Sequence, residues 1–183
     1  MKTLEIRRHS FRKSGGGSQL SQEGVDYARR LGASLGPFAQ VVTSVVPRAR
    51  ETAIAMGFAV DYEVVTLVSE EAVFAEIERS RWWEAAQPFT ALAQLMATKG
   101  ATWRYGHALT AQWRDLLTSI PEGAAALMIG HSGELEIGLV ACFLHADHGS
   151  WGAPFGICEG ARLVFAGEPE HFTTVEFLRS EPQ

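Results

Sequence analysis

Six short apolar runs, most of them separated by stretches with helical spacing, limit what this chain can become. They are Leu4 to Arg7, Val41 to Val46, Tyr62 to Leu67, Ala124 to Ile129, Leu163 to Phe165 and Thr173 to Leu178. Strands that are apolar along nearly their whole length need cover on both faces. The pattern therefore predicts an α/β fold in three layers, α/β/α, around a mostly parallel central sheet. Ser21 is the expected N-cap, with Glu23 in the first turn, of a helix that carries Val25, Ala28, Leu31 and Leu35 on one face and ends at Gly36-Pro37. A second helix is expected to begin near Pro47 and stop near Gly57. Further helices are expected within Glu71 to Lys99 with a break around Pro88, from His107 to Ser119, and from Gly133 to Leu144. Gly167-Glu168-Pro169-Glu170, between the last two runs, suits a hairpin and so at least one antiparallel pair. The Gly-rich stretch Ser14 to Ser18 reads as a flexible loop inside one strand-loop-helix unit. With 183 residues, 46% hydrophobic and 20% charged, and no internal repeat, the chain reads as one domain, 1–183.

In open α/β sheets ligands collect beyond the carboxyl ends of the strands. The first run ends at Arg8-His9-Ser10, the second leads through Ser44 to Arg48, and the fourth ends at Gly130-His131. Placed on one rim, these segments converge despite about 120 residues between the first and the last. Histidine flanked by arginines is poorly suited to a metal cation and well suited to a phosphate. A phosphoryl group in transfer spreads negative charge over its equatorial oxygens, so it asks for positioning and for cationic donors. Arginine supplies both through its planar, permanently charged fork. Neighbouring Arg8, Arg12 and Arg48 are expected to lower the pKa of His9 and keep its nitrogen nucleophilic, while His131 serves as a donor to the phosphate.

These segments resemble the histidine phosphatase superfamily, also known as the phosphoglycerate mutase-like family. Arg8-His9-Ser10 is similar to its Arg-His-Gly signature, with serine in place of glycine. Arg48-Ala49-Arg50-Glu51-Thr52-Ala53 matches its Arg-Ala-x-(Gln/Glu)-Thr-Ala helix start, and Gly130-His131-Ser132-Gly133 its Gly-His-x-Gly turn. Leu20-Ser21-Gln22-Glu23-Gly24 resembles the Leu-Thr-x-x-Gly helix start after the first motif. The resemblance implies a phosphoglycerate mutase-like fold and a small phosphatase-type member. It implies hydrolysis of a phosphomonoester or phosphoprotein through a phosphohistidine on His9, with Arg8, Arg48 and His131 on the phosphate oxygens. Neither metal nor cofactor is implied. His9-x-x-Arg12 resembles the second arginine of the acid phosphatase and phytase branch, although Ser14 replaces the proline usual there. The alternatives are phosphoglycerate mutase-type transfer, for which so short a chain leaves little room for enclosing insertions, and a non-catalytic phosphate-binding module.

An acid must protonate the leaving oxygen. The mutase-like branch has a glutamate after the third strand in a Leu-x-Glu context, which Val68-Ser69-Glu70 approximates, so Glu70 ranks first and Glu71 second. The phytase branch has an aspartate directly after its second histidine; here that residue is Ser132. Glu134 follows closely, but its place in a first helical turn gives it a simpler role as a carboxylate favoured by the helix dipole.

Other features carry blander readings. The net charge of −5 and pI of about 5.7 give no global positive field for nucleic acid or an anionic membrane. Charges in the N-terminal stretch and the brevity of the longest apolar run, Ile137 to Leu144, predict a soluble, cytoplasmic protein without a membrane span. Cys142 is expected in the core and Cys158 to be inert. Arg7 and Arg50 read as solvated charges, Glu76, Glu78, Arg79 and Arg81 as the exposed face of a helix, and Ser44 and Thr52 as hydrogen-bonding supports of a helix start. His145-Ala146-Asp147-His148 has the look of a metal motif but reads more economically as a polar helix end and turn. Trp82, Trp83, Trp103, Trp113 and Trp151 are expected in packing and pocket walls, since no basic groove accompanies them.

Overall fold

Leu127 and Ile129 pack into one apolar cluster while their neighbours Ala126 and Met128 pack into another. That alternation marks a strand with a core on each face. The computed structural model describes residues 1–166 and 172–180. Among these, strands β1 (Lys2–Arg8), β2 (Gln40–Ser44), β3 (Tyr62–Val64), β4 (Ala125–Gly130), β5 (Gly160–Phe165) and β6 (Phe172–Leu178) form one sheet in the order β3-β2-β4-β1-β5-β6. β1, β2, β3 and β4 run parallel, whereas β5 is antiparallel to both β1 and β6. The predicted antiparallel pair is thus present, and its turn residues Gly167 to Glu170 lie outside the described residues.

Helices α1 (Gln22–Gly32) and α2 (Pro47–Ala55) contribute Ala28, Ala49 and Ala53 to one cluster, joined by Met56 at the end of α2. The opposite cluster takes side chains from α3 (Glu71–Ser80), α4 (Pro88–Ala97), α5 (Ala101–Ser119) and α6 (Glu134–Cys142). The three-layer α/β/α expectation holds. Ser21 caps α1 by accepting from the Gly24 amide at 3.0 Å, and Pro47 opens α2 where its missing N–H costs nothing. α1 stops at Gly32, short of the expected Gly36-Pro37, and the third run winds into a 3-10 turn at Val65–Leu67. None of the described helices is long and apolar enough to cross a membrane.

Two local readings need correction. α5 starts at Ala101, six residues before His107, because the Glu76 carboxylate of α3 accepts from the Ala101 and Thr102 amides and from the Thr102 hydroxyl. Glu76 is therefore a helix cap rather than one more solvated charge. Burial opposes its ionised form, but these hydrogen bonds outweigh that and hold its carboxyl below the ordinary value. Arg7 is buried rather than solvated. It alternates with Leu4 and Ile6, so it points to the opposite face, where it pairs with buried Glu5 and donates to the Cys158 carbonyl at 2.8 Å. Arg162 of β5 reaches the other Glu5 oxygen at 2.9 Å.

Candidate active site

The parallel pairing of β1 with β4 sets Arg8 beside Gly130, so His9 and His131 leave the sheet together. Their ring centroids lie 5.2 Å apart. The His9 Nδ1–H donates to the Ser10 carbonyl at 2.7 Å, which fixes the tautomer and leaves the lone pair on Nε2. Arg48 Nε donates to that Nε2 at 3.0 Å. His9 has its pKa lowered to about 4, first by burial and then by Arg48, Arg8 and Arg12, against the opposing Ser10 bond. Burial, more than the neighbouring cations, keeps this imidazole neutral.

The loop carrying His9 is tied from several sides. The Ser10 amide donates to Thr52 Oγ1 at 2.9 Å, and the Thr52 hydroxyl donates to the Arg48 carbonyl at 2.7 Å. The Ser10 hydroxyl donates to the Gly24 carbonyl at 2.7 Å, a bond that a glycine at this position cannot make. Gly24 is required by close approach, since a Cβ there would sit 2.1 Å from the Phe11 carbonyl oxygen. The Glu51 carboxylate receives the Leu20 amide at 2.6 Å, closing the Gly-rich loop onto α2.

His131 Nε2 lies 2.9 Å from Ser44 Oγ, which also accepts from the Val46 amide. The direction of that bond depends on the imidazole tautomer, and the other ring nitrogen is Nδ1. That Nδ1 is buried and has no partner among the described residues, and the same is true of Arg8 Nε. The other end of the Arg8 guanidinium is anchored, Nη1 donating to the Phe155 carbonyl at 2.8 Å. His131 has its pKa lowered to about 3 by burial, then by Arg48, His9 and Arg8. Arg8, Arg12, Arg48, His9 and His131 line one pocket of about 390 Å³, with Phe11, Ile157 and Ser132 completing its wall.

The carboxylates separate. Glu134, first residue of α6, is half-buried, and its Oε1 accepts from the Ser69 hydroxyl at 2.9 Å and amide at 3.3 Å. Burial raises its pKa above the ordinary carboxyl value, opposed by the Ser69 bonds and by Arg48. Glu70 is exposed at the start of α3 and lines a different cavity, with Arg104 and Tyr105. Glu71 is exposed in the first turn of α3. None of the three carboxylates lines the pocket of the two histidines; Glu134 lines a neighbouring cavity that shares Ser132 with it, and Glu70 lines a separate one. Sequence reasoning missed Glu136. Its fully buried carboxylate accepts from Ser132 Oγ, the Gly133 amide and the Phe155 amide, joining the His131 turn to the segment that anchors Arg8. A glutamate three residues after Gly133 has the spacing of a capping box, and that signal was available.

The remaining residues fall around this centre. Cys158 is buried, its thiol pushed up to about 11 by burial, and Cys142 is raised to about 12 for the same reason. His148 is buried against Trp151 with its Nε2 on the Phe143 carbonyl, while His145 is exposed. Trp82, Trp113 and Trp151 are core residues. Arg50 is exposed beside Glu63.

A sheet rim that gathers two neutral histidines and three arginines concentrates positive charge in one pocket, an arrangement suited to an anion. The sequence model of the histidine phosphatase superfamily, branch 1, matches residues 5–151, and the chain belongs to that family. No curated protein sequence is significantly similar to it. Among solved structures, a mycobacterial glucosyl-3-phosphoglycerate phosphatase aligns at TM-score 0.66 and 18% identity, covering 99% of this chain and 100% of the other. The phosphoserine phosphatase of Entamoeba histolytica, solved with 3-phosphoglyceric acid, aligns at TM-score 0.66 and 13% identity over 99% and 98%. A phosphoglycerate mutase from Bacillus anthracis aligns at 0.64 and 17% over 96% and 91%. At such identities these likenesses establish the fold.

Proposed function

We propose that this protein is a metal-independent phosphatase that hydrolyses a phosphomonoester through a phosphohistidine on His9. The observation that carries the reading is a neutral imidazole with its lone pair directed into a pocket where two buried nitrogens, the Arg8 Nε donor and His131 Nδ1, which donates in the tautomer we assign, have no partner among the described residues. A bound phosphoryl group gives both donors an acceptor. On binding, Arg48 exchanges its bond to Nε2 for one to a phosphate oxygen, and Arg12 at the mouth adds to the attractive field.

His9 Nε2 then forms a bond to phosphorus as the bond to the leaving oxygen breaks. Glu134 transfers its proton to that oxygen, and burial suits it to hold the proton until then. The Ser10 carbonyl stabilises the positive charge that develops on the imidazole, while the arginines and His131 balance the equatorial oxygens. In the second step the Glu134 carboxylate takes a proton from water, water oxygen bonds to phosphorus, and the P–N bond breaks. Phosphate leaves and both residues return to their starting states. Glu134 is preferred to Glu70 for the acid role because it lines the cavity that shares Ser132 with the histidine pocket, whereas Glu70 is exposed on a different cavity.

The test is hydrolysis of p-nitrophenyl phosphate with a chelator present, combined with acid-quench trapping. Turnover, its abolition in folded His9→Ala, and a base-stable, acid-labile phosphoryl adduct on His9 are expected. Full activity of His9→Ala overturns the nucleophile assignment, and isomerisation of 3-phosphoglycerate faster than its hydrolysis overturns the hydrolase in favour of a mutase.

A further inference from the structure

Ser132 lines the phosphate pocket on one side and a second cavity of about 300 Å³ on the other. Glu134 forms part of this second wall. If Glu134 protonates the leaving oxygen, the organic part of the substrate projects into this cavity, so the inference rests on the hydrolase reading above.

The walls state what that organic part is. Phe74 and Ile77 of α3 and Trp82 and Trp83 of the following 3-10 turn supply the apolar surface, and the charged lining side chains are Glu78 and Glu134. Among the described residues no lysine, arginine or histidine lines it, whereas Arg8, Arg12 and Arg48 all line the phosphate pocket. α3 sits close above the His131 turn, since a Cβ on Gly133 would lie 3.9 Å from Ile77 Cδ1. Trp83 stands edge-to-face on buried Trp82 at 6.1 Å, a rigid aromatic corner. Phe74 is 55% exposed although it faces the cavity, an apolar surface the fold itself leaves uncovered.

We infer that the substrate is a phosphomonoester whose alcohol carries an apolar group of aromatic size and no anionic charge. The volume is ample, since roughly 150 Å³ accepts a benzene ring. A carboxylate or second phosphate in this cavity loses water, meets Glu78 and gains no cation, which is discrimination by repulsion as well as by missing attraction.

The experiment compares kcat/KM for 3-phenylpropyl phosphate and 4-(phosphonooxy)butanoate, two primary-alcohol esters, with p-nitrophenyl phosphate as the activity standard. The wild-type protein is expected to favour the phenylpropyl ester by about thirtyfold or more. Phe74→Ala, at an exposed position, lowers that preference several-fold, and Glu78→Lys lowers it by on the order of fivefold through improved use of the carboxylate ester. Equal or better turnover of the carboxylate ester by the wild type, or a preference unmoved by both substitutions, overturns the inference while the hydrolase reading stands. Absence of turnover on all three esters overturns both.

Discussion

Glu134→Gln isolates proton transfer from everything else in the site. Glutamine keeps an oxygen in place to accept the Ser69 hydroxyl and amide, so the side chain stays where it is. It is also neutral, as is the protonated acid that it replaces, so the charge felt by Arg48 and by a bound phosphate is unchanged at the start of the reaction. What disappears is the proton. General acid catalysis contributes about 10²- to 10⁴-fold, or roughly 3 to 5 kcal/mol of barrier. The loss falls on esters whose alcohol leaves as a strong base and spares those that leave without help. We expect kcat/KM, which reports the step that expels the alcohol, to drop by about 10³ for an alkyl phosphate and by no more than about tenfold for p-nitrophenyl phosphate, while kcat also carries the lost base of the water step and falls for both. Inhibition by inorganic phosphate stays within about twofold, because the arginine cradle is intact. The wild-type activity declines as pH rises through the elevated Glu134 pKa, since the working form is protonated, and the variant lacks that decline. Steady-state assays of both esters across pH 4 to 9 supply the data. Equal losses of kcat/KM on the two esters, or a leaving-group-dependent loss in Glu70→Gln instead, would refute the assignment.

Stability should fall with acid. His9 titrates near 4 when folded and near 6.5 when unfolded, so below pH 6.5 the unfolded chain binds more protons, and the folded state loses about 3 kcal/mol on this account by pH 4. Urea denaturation at pH 7 and pH 4 measures this, and His9→Asn should flatten the slope; an unaltered slope contradicts it. Thr52→Val strips the acceptor from the buried Ser10 amide, at a cost of about 1 to 3 kcal/mol, and loosens the nucleophile's loop. A melting temperature lower by several degrees together with a reduced kcat is expected, and an unchanged kcat would separate the tie from catalysis. Glu76→Ala removes the cap of α5 for about 1 to 2 kcal/mol. Thermal denaturation reads the loss, and a melting temperature equal to that of the wild type would show that the cap is dispensable.

The sheet was legible because its strands are short, mostly apolar runs, and the rim because the sequence breaks those runs with histidine and arginine at their ends. Departures arose where a partner came from far along the chain. The start of α5 depends on a carboxylate 25 residues away, and the burial of Arg7 depends on Glu5 held by Arg162 of a different strand. β3 ends at Val64 because the backbone turns immediately afterwards, although Val65 to Leu67 carry the same apolar signal. Ranking the carboxylates by local spacing favours Glu70, but which one lines the cavity beside the histidine pocket depends on how α3 and α6 pack. The phosphate chemistry was written in short motifs; the organic half of the site is assembled from α3 and its following turn, where no motif exists.

The register of β1 against β4 has a consequence for how such a site can change. His9 and His131 each stand one residue beyond a paired position, Arg8 with Gly130, on adjacent strands. Their 5.2 Å separation is therefore close to the spacing of about 4.8 Å between neighbouring strands. The gap between the two imidazoles is a repeat distance of the backbone, and no side-chain substitution can widen it. A slip of one residue would turn one imidazole to the other face of the sheet and abolish the site. Variation in what the protein accepts is thereby confined to the helices, and the dimension that fits a phosphoryl group is inherited from hydrogen bonds every parallel sheet makes.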